Sequence, residues 1–288
     1  MHRKWHAPLA IAALLWAGTA AAEPELVWEA TGLQAPESAV YDVENKVIYV
    51  SNIAGGGMDK DGVGFISIIA PDGTVTQAEW VTGLDAPKGL AIHGDKLYAA
   101  DIDKLVVIDI SQGAVVATHS APDAKFFNDV TADNAGRVFV SDMFTDTIWK
   151  LEDGTFEAWL QDSALDNPNG LLAVGDKLLV AARGRKSETS EGPLPNSIKV
   201  VDIATMEISP FGSGEPIGNL DGIVADGQGG YIVSDWRAGA LFHVSPSGAS
   251  EMILDVDQGS ADIGIIESEG IVMVPMMVNG SLAAYRLN

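Results

Sequence analysis

Six times along the chain a short strand-like opening is followed, 13 to 15 residues later, by a second run that ends on a polar residue in most copies. The openings are Pro36-Glu37-Ser38-Ala39-Val40, Pro87-Lys88-Gly89-Leu90-Ala91, Phe127-Asn128-Asp129-Val130, Pro168-Asn169-Gly170-Leu171, Leu220-Asp221-Gly222-Ile223 and Asp262-Ile263-Gly264. The endings are Val50-Ser51-Asn52, Ala99-Ala100-Asp101, Val140-Ser141-Asp142, Ala181-Ala182-Arg183, Val233-Ser234-Asp235 and Val274-Pro275-Met276. Counted from opening to ending, the steps are 15, 13, 14, 14, 14 and 14 residues. Spacing this constant is hard to obtain by chance, so the repeat is the first thing a fold must explain.

The units are made of strands. Beyond the first residues no apolar pattern keeps a helical period; short β-branched runs alternate with turn dipeptides such as Asp72-Gly73, Asp153-Gly154 and Ser247-Gly248. A third strand is predicted in every unit: Gly64–Ile69, Lys104–Ile108, Thr147–Leu151, Ser197–Val201, Ala240–Val244 and Ser281–Arg286. A fourth, more variable strand follows in the first five units, while the sixth ends with the chain. Glu25-Leu26-Val27-Trp28-Glu29 supplies the missing strand and closes a ring without a free edge. The expectation is an all-β fold, a six-bladed β-propeller with four antiparallel strands per blade and an N-terminal strand closing the last. A linear β-solenoid leaves that N-terminal strand unexplained.

Residues 1–22 read as an export signal. Arg3 and Lys4 precede an apolar run from Ala7 to Leu15, and Ala20-Ala21-Ala22 matches an A-x-A cleavage site. The run is shorter than the roughly 20 apolar residues a membrane span needs. The mature chain, residues 23–288, is therefore expected to be one soluble domain, periplasmic or secreted, without membrane attachment and monomeric. There is no Cys, so no disulfide supports it in an oxidising compartment. Losing Arg3 and Lys4 takes the formal charge from −23 to −25, which repels nucleic acid and anionic lipid.

In a propeller the first strand of each blade lines the channel, so the opening residues converge on one face. Here they are Glu37, Lys88, Asn128, Asn169, Asp221 and Asp262. Converging carboxylate and amide oxygens suit a hard cation such as Ca²⁺. The other reading of the same ring is a hydrated polar channel in which Lys88 neutralises its acidic neighbours.

At these residues the chain resembles the gluconolactonase family, which includes regucalcin and is related to the paraoxonases. The resemblance spans the mature chain and is carried by Pro36-Glu37, Phe127-Asn128-Asp129, Pro168-Asn169-Gly170-Leu171 and Leu220-Asp221-Gly222. It implies a six-bladed propeller with a divalent metal that hydrolyses lactones or related esters. It implies Glu37, Asn169 and Asp221 as metal ligands and Asn128 as a substrate or metal contact. Ca²⁺ is the expected ion, with Zn²⁺ and Mn²⁺ as alternatives. One departure matters: where sugar-lactone-hydrolysing members carry an Arg, two residues before the matching Asn, this chain has Phe126. A less polar substrate is expected in consequence.

Lys88 either holds a substrate carboxylate or serves as a counter-ion. Two connections between second and third strands are long, 53–63 and 183–196, the latter with Arg185 and Lys186. They belong to opposite blades and emerge beside the openings, either as lips of a pocket or as tolerated insertions. Arg185 is accordingly a candidate substrate contact. Asp59-Lys60-Asp61-Gly62 lacks the spacing and final Glu of an EF-hand. His93, His119 and His243 fall away from the channel mouth, and no Gly-x-Ser-x-Gly elbow is present. The functional expectation is a metal-dependent lactonase or esterase in which Asp221 also assists the attacking water and Asn128 fixes the substrate. Its rival is a non-catalytic propeller that binds a small molecule or protein.

Overall fold

Period-two alternation runs through the second strand of each unit, and each face of that strand meets a different neighbour. In the computed structural model, which describes residues 24–287, Ile48 and Val50 pack toward one adjacent sheet and Tyr49 toward the other. Leu178 and Val180 likewise face one neighbour, and Leu179 and Ala181 the next. A sheet buried on both faces by like sheets must continue until the ring closes, and here it closes after six. The expected signal peptide lies outside the described residues.

The strands follow chain order. β1 (Glu25–Thr31) precedes blade one, which holds β2 (Pro36–Asp42), β3 (Val47–Asn52), β4 (Gly64–Ile69) and β5 (Val75–Leu84). Blade two holds β6 (Pro87–His93), β7 (Lys96–Asp101), β8 (Lys104–Asp109) and β9 (Ala114–Ser120). Blade three holds β10 (Phe127–Ala132), β11 (Val138–Asp142), β12 (Thr147–Glu152) and β13 (Thr155–Gln161). Blade four holds β14 (Pro168–Val174), β15 (Lys177–Ala182), β16 (Ile198–Asp202) and β17 (Ile208–Pro210). Blade five holds β18 (Leu220–Ala225), β19 (Tyr231–Asp235), β20 (Ala240–Val244) and β21 (Ser250–Asp255). Blade six takes β22 (Gly264–Ile266), β23 (Ile271–Met276) and β24 (Ser281–Arg286), with β1 as its outermost strand.

β1 runs antiparallel to β24 from Glu25 opposite Arg286 to Thr31 opposite Ser281. At the inner rim the blade-six-to-blade-one seam is tied by the Asp262 N–H, which donates to the Glu37 carbonyl at 2.8 Å. Six apolar clusters fill the six interfaces between blades, among them Leu90, Leu97 and Ile108 against Ile66 and Leu84. The seam is no weaker: Ile266, Met273 and Leu282 of blade six pack on Ile48, Val50 and Ile69 of blade one.

The first strands share one irregularity. Pro36 pairs with Asn52 but Ala39 with Val50, so β2 carries one extra residue at its start. The same shift occurs in β6, β10, β14 and β18. The bulge sets Glu37-Ser38, Lys88-Gly89, Asn128-Asp129, Asn169-Gly170 and Asp221-Gly222 out of the ladder, at the tunnel. Bulges of this kind re-aim side chains beside functional sites.

The constant spacing has a chemical cause. The side chain ending the second strand accepts backbone N–H groups from the segment that leads into the first. Asp142 takes those of Lys125 (2.8 Å) and Phe126 (3.0 Å), Asp101 those of Asp85 (3.0 Å) and Ala86 (2.7 Å). Asn52 takes Gln34 N–H and Asp235 takes Asn219 N–H, each at 2.9 Å. In blades one, three and five the Ser before that residue pins the bulge: Ser51, Ser141 and Ser234 Oγ accept from Ser38, Asp129 and Gly222 N–H at 2.9 Å.

The register corrects two alignments. Pro168 pairs with Ala182, so the ending of unit four is Ala182 and Arg183 lies one position beyond it. Ser260 pairs with Met276 and Gly264 with Met273, so Ala261 fills the mouth position of blade six and Asp262 the one below. Unit six has Ala261 where the other five carry a polar side chain, which is why sequence placed the next polar residue, Asp262, in the mouth ring.

A chain starting at Leu33 lacks β1 and leaves the β24 edge and Leu282 uncovered. Its thermal unfolding midpoint, followed by circular dichroism, is expected at least ~10 °C below that of the chain retaining β1, since several kcal/mol of packing and strand pairing are lost. Equal midpoints would contradict closure by β1.

Candidate functional site

Two layers of polar side chains occupy the tunnel start. The upper layer is Glu37, Lys88, Asn128, Asn169 and Asp221, with Ala261 completing the ring. The lower layer is Ser38, Asp129 and Asp262, with glycines at the other three bulges. Gly89 and Gly222 make the lower layer fit: a methyl at Gly89 overlaps the Asp129 carboxylate, and one at Gly222 the Asp262 carboxylate. Each polar residue of both layers is more than nine-tenths buried.

The lower layer is well satisfied. Ser38 Oγ donates to Asp262 Oδ2 at 2.5 Å, and Asp129 accepts from Leu171 N–H and Val130 N–H, both at 2.6 Å. Asp129 and Asp262 come from opposite blades and hydrogen-bond each other through their carboxyls. Below them the tunnel widens into a cavity of about 230 Å³ with largely apolar walls, including Leu90, Val130, Leu171 and Ile223.

The upper layer is not satisfied. Glu37 Oε2 and Asn169 Oδ1 are buried with no hydrogen-bond partner. Asn169 Nδ2 donates to the Leu220 carbonyl at 3.1 Å, and its amide lies close enough to Asp221 to favour that carboxylate. A buried oxygen without a partner costs roughly 1–3 kcal/mol, so these two leave the ring open to a hydrogen-bond donor or a cation.

Burial raises the acids. Desolvation lifts Asp221 to about 7, opposed by the Arg183 guanidinium and aided by Asp235. Asp262 is raised to about 7 by desolvation, with the Ser38 hydrogen bond pulling down and Asp221 pushing up. Glu37 and Asp129 rise well above the carboxylate range, again chiefly by desolvation. Lys88 is pulled down by desolvation, against the attraction of Glu37 and Asp101.

Lys88 is 2% exposed and its ammonium donates to the Gly57 and Ala86 carbonyls, both at 2.9 Å. One of these bonds ties the 53–63 connection to blade two, and the other holds the ammonium to the segment before its own strand. The third side of the ammonium rests on the Phe126 ring, 4.6 Å from the centroid. Phe126 stacks on Phe144 at 4.7 Å, and Phe144 is half exposed. Asn128 lies deeper, its amide 3.9 Å from Met143 Sδ.

The two long connections do flank the mouth. The first is tied to blade two by Lys88, by Lys60 to Asp103 and by Gly62 N–H to Asp85 at 3.1 Å. That use of Lys60 and the Asp85 contact leave Asp59-Lys60-Asp61-Gly62 as a packing loop. The second is tied to blade five by Asn219 Nδ2, which donates to the Arg183 and Leu194 carbonyls at 3.0 Å. Arg185 turns outward into ion pairs with Asp146 and, at 3.5 Å, Asp166. The mouth is faced by Arg183 instead, which sequence reasoning missed. His93, His119 and His243 stay outside the site; His243 Nε2 pairs with Asp226 at 2.9 Å.

No protein-family model matches the chain, and no curated protein matches it in sequence. In fold it is similar to a gluconolactonase from Xanthomonas campestris, at 15% identity and a TM-score of 0.66, covering 93% of this chain and 95% of that one. It is similar to virginiamycin B lyase from Staphylococcus aureus at 16% identity and 0.63, covering 92% and 100%. A WD40 domain from Neurospora crassa aligns at 13% identity and 0.59, covering 93% and 96%. Likeness at such identities establishes the fold, and its holders do different things.

Acids with raised pKa values hold protons that the unfolded chain has released. Their contribution to stability is full below about pH 4, the unfolded value, and is lost as pH rises through about 7. In chelator the unfolding midpoint is therefore expected to fall by at least ~5 °C from pH 5 to pH 8. Asp262→Asn, which removes one of these titrations, is expected to shrink that fall. A flat profile in the unsubstituted protein would contradict the site's electrostatics.

Proposed function

We propose that the protein is a metal-dependent hydrolase of lactones or related esters, acting at the tunnel mouth. The observation that carries this reading is the pair of unpartnered buried oxygens, Glu37 Oε2 and Asn169 Oδ1, beside Asp221. Two carboxylates and an amide oxygen are hard donors and fit a hard divalent cation, Ca²⁺ first and Zn²⁺ or Mn²⁺ as alternatives. Glu37, Asn169 and Asp221 would hold it. When bound, such a cation supplies Lewis acidity toward an ester carbonyl and its developing oxyanion.

The chain's own residues supply the rest. Asp221, placed among Asn169, Arg183 and Asp235, is the carboxylate positioned to serve as the base toward water. Asn128 offers an amide to the substrate from blade three. Phe126 and Phe144 give the rim an apolar face, in keeping with a substrate less polar than a sugar lactone. Lys88 acts by holding the 53–63 connection closed over this wall. The likeness in fold to a gluconolactonase supports the reaction class. Export to the periplasm or beyond, with residues 1–22 removed, belongs to the same proposal and rests on the sequence.

A non-catalytic propeller that binds a small molecule is the second reading. It is favoured by the range of proteins that share this fold, a WD40 domain among them.

A panel of lactones and aryl esters, assayed before and after chelation with Ca²⁺, Zn²⁺ and Mn²⁺ added back, separates the two readings. Hydrolysis that is lost with chelator and restored by one ion is the expected result. At saturating ion, Asp221→Asn is expected to lower kcat by at least ~10²-fold, the usual contribution of a positioned base. Turnover of no ester with any ion would hand the site to the binding reading.

A further inference from the structure

The residue following the second strand forms a rim above the polar layers. Five of its six members are apolar by sequence: Ile53, Ile102, Met143, Trp236 and Met277. Ile53, Ile102 and Met277 pack together, as an apolar rim should. In blade four the same position is Arg183, so the repeat's apolar pattern is broken once, by a cation.

Arg183 is partly buried, and among the described residues it has no ion-pair partner within 4.0 Å, although the sequence offers 40 acidic side chains against 17 basic ones. Two residues on, Arg185 has two such partners. The Arg183 guanidinium instead rests on Met143 Sδ at 4.0 Å, the sulfur that also meets the Asn128 amide. Asp221 feels its charge without touching it. Beside Met143 stands Phe144, stacked on Phe126 and half exposed to solvent. A guanidinium held on a soft, uncharged sulfur keeps its planar donor fork available for a carboxylate.

We propose that Arg183, with the Phe126–Phe144 pair, forms an anion subsite at the tunnel mouth that takes ligands combining a carboxylate with an aromatic or planar apolar body. Lys88 does not share this role, since its ammonium is buried and already bonded to two carbonyls. The subsite names a substrate class for the hydrolase proposed above, but it stands on geometry that needs no hydrolysis.

The test is direct binding to the full chain by calorimetry, in chelator and again with Ca²⁺, using 4-phenylbutanoate, its neutral alcohol 4-phenylbutan-1-ol, and butanoate as probes. The unsubstituted protein is expected to prefer 4-phenylbutanoate over both others. Arg183→Gln should weaken the carboxylate probe by at least ~10-fold, as loss of a charge-assisted hydrogen bond does, and leave the alcohol unchanged. Arg183→Lys should recover part of the loss, and the surface change Phe144→Ala should weaken the phenyl probe but not butanoate. Binding of none of the probes, equal binding of acid and alcohol, or an unaltered Arg183→Gln would overturn the subsite. Turnover of lactones alongside any of these results would leave the hydrolase standing without it. Carboxylate binding through Arg183 with no ester turned over would leave the subsite standing without the hydrolase.

Discussion

At the start of each inner strand one extra residue is forced into the ladder, and the site is built from what that bulge displaces. A regular strand would alternate its side chains between the two flanking blades and leave the tunnel lined by whichever happened to face it. The bulge instead places two successive residues toward the axis, giving one layer at the mouth and one below. It is held by groups that recur around the ring: a carboxylate or amide ending the second strand, and in alternate blades a serine hydroxyl bonded to the bulge N–H. Ser141 and Ser234 also donate to the Asn169 and Ala261 carbonyls of the next blade, at 2.8 and 2.7 Å. The local irregularity and the contact between blades are thus one network.

This arrangement makes the tunnel mouth dry and polar together. Carboxyl groups in such a place resist ionisation, and Glu37, Asp129, Asp221 and Asp262 all do. The two layers resolve the problem differently. In the lower one Asp129 and Asp262 satisfy each other, Ser38 and two backbone N–H groups. In the upper one Glu37 and Asn169 each keep an oxygen without a partner. Polar groups left in that state in a folded protein are the ones to read as a binding site.

Most of the architecture was legible because the repeat is written in chemistry that sequence displays. The 13-to-15-residue step is the length of a hairpin whose far end must reach back to cap its own beginning, and Asn52, Asp101, Asp142 and Asp235 do so. The closing strand at Glu25 was legible because unit six ends one strand short. Legibility failed where a unit drops its markers. Ala182 and Met276 cannot cap, so units four and six could not be aligned by a polar ending; only strand register shows Ala261 at the mouth and Arg183 on the rim. The choice between Arg183 and Arg185 turns on whether Asp146 and Asp166 lie within reach, which is a tertiary fact. The signal available in sequence was positional: an arginine where the other units carry Ile53, Ile102, Met143, Trp236 and Met277.

The central proposal is that the upper layer is a desolvated cation site whose carboxyls, raised by burial, would release protons as a cation binds. Its most direct test is calorimetric titration of the chelator-treated protein with Ca²⁺ near pH 7, repeated in buffers of different ionisation enthalpy. Displacement of protons by a bound cation makes the observed heat depend on the buffer. The account predicts one cation per chain, bound with net release of protons, and weakened by Glu37→Gln and by Asn169→Ala. No binding, or binding that releases no protons and ignores both substitutions, would contradict it.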